Sequence, residues 1–265
     1  MTASAPAPGA STLVDAAFGA TPERWPLPVA TTPLQHWLRA VAAGGQGRYG
    51  SALSDLAVLL RTQPEGPLLS LAHSTRASFL RQLGGHRRAR GADGLAWAGH
   101  GDSDEAAVDA LVGLAADALG VGRFGVSARL LDRADAFGVS ARQRIRWFWV
   151  NAELAMARGD GEAAVGHARR GVAAAAGYTS TRHAVKSEVV LAAALCSAGQ
   201  LDAARAVADA ALGATETSGL VPLRWALACL LADIGSSVHG AAQIGQIRDL
   251  CADTVRRRGG VWSER

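Results

Sequence analysis

Lysine is almost missing from this chain. Lys186 stands alone beside 26 arginines, a skew that reflects codon usage rather than selection for guanidinium chemistry. The net charge of +4 and pI near 9.5 therefore do not by themselves argue for nucleic acid, and the placement of the arginines has to decide. Aromatic residues make up only 5%, and β-branched residues other than Val are sparse, so propensity favours helix over strand. Cysteine is confined to Cys196, Cys229 and Cys251, each inside an apolar helical pattern and none in a CxxC pair. That excludes a disulfide framework and fits buried thiols in a reducing cytoplasm, where we expect the protein to reside. No stretch of about 18 apolar residues is free of charges or helix breakers, so no membrane span is expected. The N-terminus has no basic region leading into an apolar core, and no signal peptide is expected.

Proline is crowded at one end. Pro6, Pro8, Pro22, Pro26, Pro28 and Pro33 are followed by only Pro64, Pro67 and Pro222. Residues 1–32 accordingly read as a flexible, Pro-rich leader with a short helical turn near Leu13–Phe18 and with Trp25 as a candidate cap on the first repeat. Residues 33–260 form the helical repeat domain.

Alanine, leucine and glycine fill the rest, and they are placed periodically. Gly47, Gly84, Gly122, Gly159, Gly199 and Ser236 are 37 to 40 residues apart. Seven residues before each stands Ala40, Ala77, Ala115, Ala152, Ala192 or Cys229, and five after stands Ala52, Ala89, Ser127, Ala164, Ala204 or Ala241. A further seven on come Leu59, Ala96, Ala134, Gly171, Ala211 and Arg248. Self-similarity at this period marks an array of helix pairs, each burying its apolar face against its neighbours. The fold class expected is an all-α solenoid of about six antiparallel helix pairs. Their helices are expected at 33–44 and 49–61, 67–83 and 86–98, 104–120 and 124–136, 140–157 and 161–176, 180–198 and 202–217, and 220–235 and 239–258. Pro33, Pro67 and Pro222 suit first turns, and Ser140 and Ser180 suit N-caps. Arg256–Arg258 complement the C-terminal end of the last helix.

The patterns Gly47-x-Tyr49-x-x-Ala52-Leu53, Gly122-x-Phe124-x-x-Ser127 and Gly199-x-Leu201-Asp202-x-Ala204 resemble the tetratricopeptide repeat family, in a variant longer than the family's usual period. A small residue at the corner lets one helix turn sharply into the next. A bulky residue two positions later fills the gap, and small residues on both helices allow close approach. The resemblance implies a superhelix that binds ligands on a concave face lined by the first helices. Transferred onto this chain, that face comprises Trp37, Val41, Ser74, Ser78, Arg81, Val112, Ala116, Arg146, Trp149, Glu153, Met156, Lys186, Val189, Ala193, Ala226 and Leu230. Glu153 stands where the family's carboxylate clamp has asparagine, so that specificity is not carried over.

Within that face Arg81, Arg146, Trp149, Met156 and Lys186 would suit an extended peptide with an acidic group, and a protein or acidic peptide is the partner expected. A second cluster, Arg76, Arg87, Arg88 and Arg90 around Arg81, lies in a stretch without acids between Glu65 and Asp93 and forms a basic patch. With Arg142, Arg144 and Arg146 leading into Trp147, Phe148 and Trp149, it makes nucleic acid the alternative partner. Enzyme signals are poor. Gly45–Gly50 matches GxGxxG but follows a helix, and His100–Asp104 reads as a loop entering a capped helix. No cofactor, metal or catalytic residue is expected.

Overall fold

The computed structural model describes residues 8–263 apart from Pro64 and Val139. Among the described residues all regular structure is helical. A short helix, α1 (Pro8–Phe18), precedes six pairs: α2 (Pro33–Gly45) with α3 (Tyr49–Thr62), α4 (Pro67–Gln82) with α5 (His86–Ala98), α6 (Asp104–Gly120) with α7 (Phe124–Asp135), α8 (Ala141–Ala157) with α9 (Gly161–Ala176), α10 (Thr181–Ser197) with α11 (Leu201–Thr217), and α12 (Val221–Ile234) with α13 (Ala241–Arg257). Each helix packs on its partner and on the next pair, as in a solenoid.

Local signals set the boundaries. Thr32 and Gln35 form a reciprocal capping box on α2, with Pro33 in the first turn. The Ala106 N–H donates to Ser103 Oγ at the start of α6, and the Ala163 N–H to Asp160 Oδ1 at the start of α9. Gly47, Gly84, Gly122, Gly159 and Gly199 all adopt φ between +72° and +86°, a conformation that costs other residues energy. The small positions pack as expected. Ala40, Ala77, Ala115, Ala152 and Ala192, and Ala52, Ala89, Ser127, Ala164 and Ala204, are all wholly inaccessible.

The sixth pair departs from the expected register. Its positive-φ corner is Gly235 (φ +83°), not Ser236, and residues 235–240 separate its helices where the other five corners use three residues. Ser236 Oγ–H donates to Asp209 Oδ1 at 2.6 Å and accepts the Val238 and His239 N–H groups, bracing the longer loop. With the corner at Gly235, Ala228 on α12 is buried seven residues before it where Cys229 was expected, and the inserted residues rotate α13, so Ile244 and Cys251 are buried where Ala241 and Arg248 were expected. Arg248 instead points outward and pairs with Asp249.

Two further features were not anticipated. First, the array closes on itself. The Gly50 N–H donates to the Arg258 carbonyl at 2.8 Å, the Arg258 guanidinium donates to the Gln46 carbonyl at 2.7 Å, and the Ser263 N–H to the Leu83 carbonyl at 2.8 Å. Trp262 packs on Trp225 with ring centroids 4.4 Å apart. Of the arginines expected to complement the end of the last helix, Arg258 thus ties it to the first corner, while Arg256 pairs with Asp253. Second, the expected flexible leader is, from residue 11 onward, part of the fold. Leu13, Ala16 and Ala17 are buried against the first repeat. The carbonyls of Pro22 and Arg24 accept from the Gln46 amide, and the Arg48 guanidinium lies 4.0 Å from the Trp25 ring centroid. Residues 1–7 of that leader lie outside the described residues.

Candidate functional site

The first helices of all six pairs, α2, α4, α6, α8, α10 and α12, face one cavity of about 530 Å³, and Phe18 from the end of α1 projects into it. A volume of this size is typical of a ligand pocket. Of the inner-face positions expected from sequence, all but Met156, Val189, Ala193, Ala226 and Leu230 line it. Met156 packs instead among Ala152, Ala155 and Val165 between α8, α9 and α10, and Val189 and Leu230 pack between α10 and α12.

The aromatic lining is held by hydrogen bonds between neighbouring repeats. Trp37 Nε1–H donates to Thr75 Oγ1 and Trp149 Nε1–H to Ser187 Oγ, each at 2.9 Å. Both tryptophans stand ten residues before a corner glycine, so the same device orients an indole in repeats one and four. His183 lies 5.4 Å from Trp149 in a stacked arrangement and edge-on to Tyr178 at 5.3 Å. Burial, then the cations Arg182, Arg142 and Arg146, hold its imidazole well below the usual range, so it is neutral.

The expected cationic residues Arg81, Arg146 and Lys186 are in the cavity wall, but all three are already paired. Arg81 bridges the buried Asp93 and Asp117, the latter at 3.1 Å. The expectation of uncompensated charge around residues 76–90 therefore fails for Arg81. Arg146 pairs with Asp109. The same carboxylate receives Arg142 at 2.6 Å, and Arg142 also reaches Glu105 at 2.9 Å. Burial alone would raise Asp109, but the two guanidiniums hold it below the usual carboxylate range. Lys186 pairs with Glu153 at 3.4 Å and lies 5.9 Å from the Trp149 ring centroid.

Arg182, which no sequence pattern marked, is different. It sits in the first turn of α10, donates to the Val41 carbonyl at 3.3 Å, and has no carboxylate within ion-pair distance among the described residues. Burial, with Arg142 and Arg146 nearby, pulls its guanidinium down to about 10. Asp109, His183 and Phe18 were also absent from the expected site, and Arg142 was expected only in the run assigned to the nucleic-acid alternative. A usable signal was present for part of this: Asp117, Glu105 and Asp109 on α6 lie 36 or 37 residues, one repeat period, from Arg81, Arg142 and Arg146 respectively, whereas Asp93 lies 12 residues from Arg81 on α5.

The second cluster lies elsewhere. Arg76, Arg87, Arg88 and Arg90 are exposed outside the cavity, and none forms an ion pair among the described residues. The run at 142–149 is divided by the helix. Arg142, Arg146 and Trp149 face the cavity, whereas Arg144 pairs with Asp135, and Trp147 and Phe148 pack on His167 of α9. The Gly45–Gly50 match is a corner between α2 and α3, and His100 rests on Trp97 at 4.5 Å.

Neither a family model nor a curated protein sequence matches this chain.

Proposed function

We propose that this protein is an interaction module that works by binding, without catalysis, and holds a segment of a partner protein on its concave face. The observation that carries this reading is the convergence of six first helices on one cavity lined by aromatic rings and guanidiniums. The segment that fits is short, acidic and apolar-flanked, since the rings offer apolar area and the cations select negative charge. The resemblance to tetratricopeptide repeats, whose members bind on that face, agrees with it. Cys196 and Cys251 are free thiols, which suits a role in a reducing cytoplasm. No described helix is long and apolar enough to cross a membrane. A photo-crosslinking residue at Ser78, on the cavity wall, tests the reading against the same residue at the exposed Arg88. Specific, acid-containing adducts from position 78 support it, and adducts confined to position 88 count against it.

The second reading, nucleic acid, draws on the exposed Arg76, Arg87, Arg88 and Arg90, which form no ion pair among the described residues. It requires binding to RNA or single-stranded DNA that weakens steeply with salt, as phosphate contacts release counterions. Replacing the four with Gln would then remove both the binding and its salt dependence.

A further inference from the structure

Charge within the cavity does not balance around Arg182. Three guanidiniums, those of Arg142, Arg146 and Arg182, face two carboxylates, Asp109 and Glu105. His183 is neutral and cannot be counted among the charges. The hydroxyl of Ser74, buried in the same wall, has no hydrogen-bond partner among the described residues. Arg182 also lies in the first turn of α10, where the helix dipole favours an anion, although the Thr181 N–H already donates to the Gly19 carbonyl at 3.1 Å. Phe18 lies 5.7 Å from its guanidinium and 5.4 Å from Trp37, measured to ring centroids. Arg182 is partly buried; a guanidinium held out of bulk water without a counterion is disfavoured, and an arriving carboxylate relieves that.

We infer that the cavity contains a subsite for one carboxylate, received by Arg182, with Phe18, Trp37 and Trp149 bedding the apolar group attached to it. A single uncompensated charge matches a monoanion better than a phosphate dianion. The inference rests on the cavity being the binding face. The carboxylate has two sources, a free organic acid or an acidic side chain of a docked segment, and the test separates them.

The unaltered full chain is titrated with 3-phenylpropionate and its neutral amide, with acetyl-Phe-Glu-Phe-amide and its Gln counterpart, and with inorganic phosphate. The acid of at least one pair is expected to bind about tenfold more tightly than its neutral twin, with phosphate weaker. Folded Arg182→Gln should abolish the preference, and Arg182→Lys, which keeps the charge, should retain part of it. Preference for the free acid alone supports the subsite while removing the protein-segment reading. Preference in the tripeptide pair supports both. Equal binding within each pair, or no binding by any acid, overturns the subsite and leaves the segment reading to its crosslinking test. A preference that survives Arg182→Gln overturns it as well. The acid–amide comparison needs no variant, so a folding defect at position 182 does not blunt it.

Discussion

The Gly50 N–H donates to the Arg258 carbonyl oxygen at 2.8 Å, and this bond joins the first repeat to the last. The approach is possible because Gly259 comes next. It has φ +86°, and a Cβ there would lie 2.8 Å from the Gly50 nitrogen. Gly259→Val combines backbone strain with that clash and should cost about 1–3 kcal/mol. Chemical denaturation measures the loss. Faster hydrogen exchange at Gly50 and Ser263 should accompany it, and unchanged exchange at both would show that the ends meet by other contacts.

The rotation of α13 makes a discriminating pair of substitutions. Cys251 is 5% exposed and packs where the first five repeats place a small or apolar residue, whereas the Arg248 side chain is 42% exposed. Cys251→Arg should cost several kcal/mol, since it buries an unpaired charge. Arg248→Ala should stay within about 0.5 kcal/mol. The opposite order in thermal unfolding would restore the register expected from even spacing.

These two sites also mark how far the sequence could be read. The corners at Gly47, Gly84, Gly122, Gly159 and Gly199 were legible because each demands a positive φ and a close helix contact, both of which restrict residue type locally. The sixth was misread because Ser236 continues the spacing, while the geometry belongs to Gly235 and a longer loop. The docking of α1 left no periodic trace, since Leu13, Ala16 and Ala17 meet surfaces supplied by distant residues. Inner-face positions such as Trp37 and Trp149 followed from counting back from the corners. The electrostatics did not follow, because Arg81 is neutralised by Asp93 and Asp117 on other helices. Arg182 is informative for lacking what the others have, and that absence shows only once the helices are in place.

Leu13 should carry much of the attachment of α1. It is wholly buried in the cluster containing Trp37, Leu38 and Val41. Leu13→Ala removes apolar contacts and leaves a cavity, at a cost of about 2–5 kcal/mol. If α1 were merely draped over the array, its backbone amides would exchange freely in the unaltered protein and the substitution would leave the denaturation midpoint in place.

Asp109 holds two guanidiniums with one carboxylate, Arg142 at 2.6 Å and Arg146. Asp109→Asn leaves Arg146 buried without a counterion and should destabilise by about 3–5 kcal/mol. Adding Arg146→Met removes the stranded charge and should recover part of that loss. A double-mutant cycle in chemical denaturation reads the coupling. Additive costs would mean that the pair does not interact in the way its geometry requires.

Asp93 makes the stability of the protein depend on pH with a sign opposite to that of a surface carboxylate. Burial, partly offset by Arg81 and reinforced by the negative charge of Asp117, pushes its carboxyl up to about 7, and Asp117 is also raised. Asp93 Oδ1 and Asp117 Oδ2 take no other donor among the described residues, which suits one proton shared between them. An unfolded aspartate titrates near pH ~3.9. Between about pH 4 and 7 the folded protein therefore binds more protons at this site than the unfolded chain, and stability falls as pH rises through that window. Asp93→Asn cannot lose the proton. Its denaturation midpoint relative to the parent should therefore shift in favour of the variant from pH 4 to 7. Asp109 titrates in the opposite sense but is present in both proteins, so its contribution drops out of the comparison. Parallel pH profiles for the two proteins would mean that Asp93 is ionised throughout and that Arg81 alone neutralises both carboxylates.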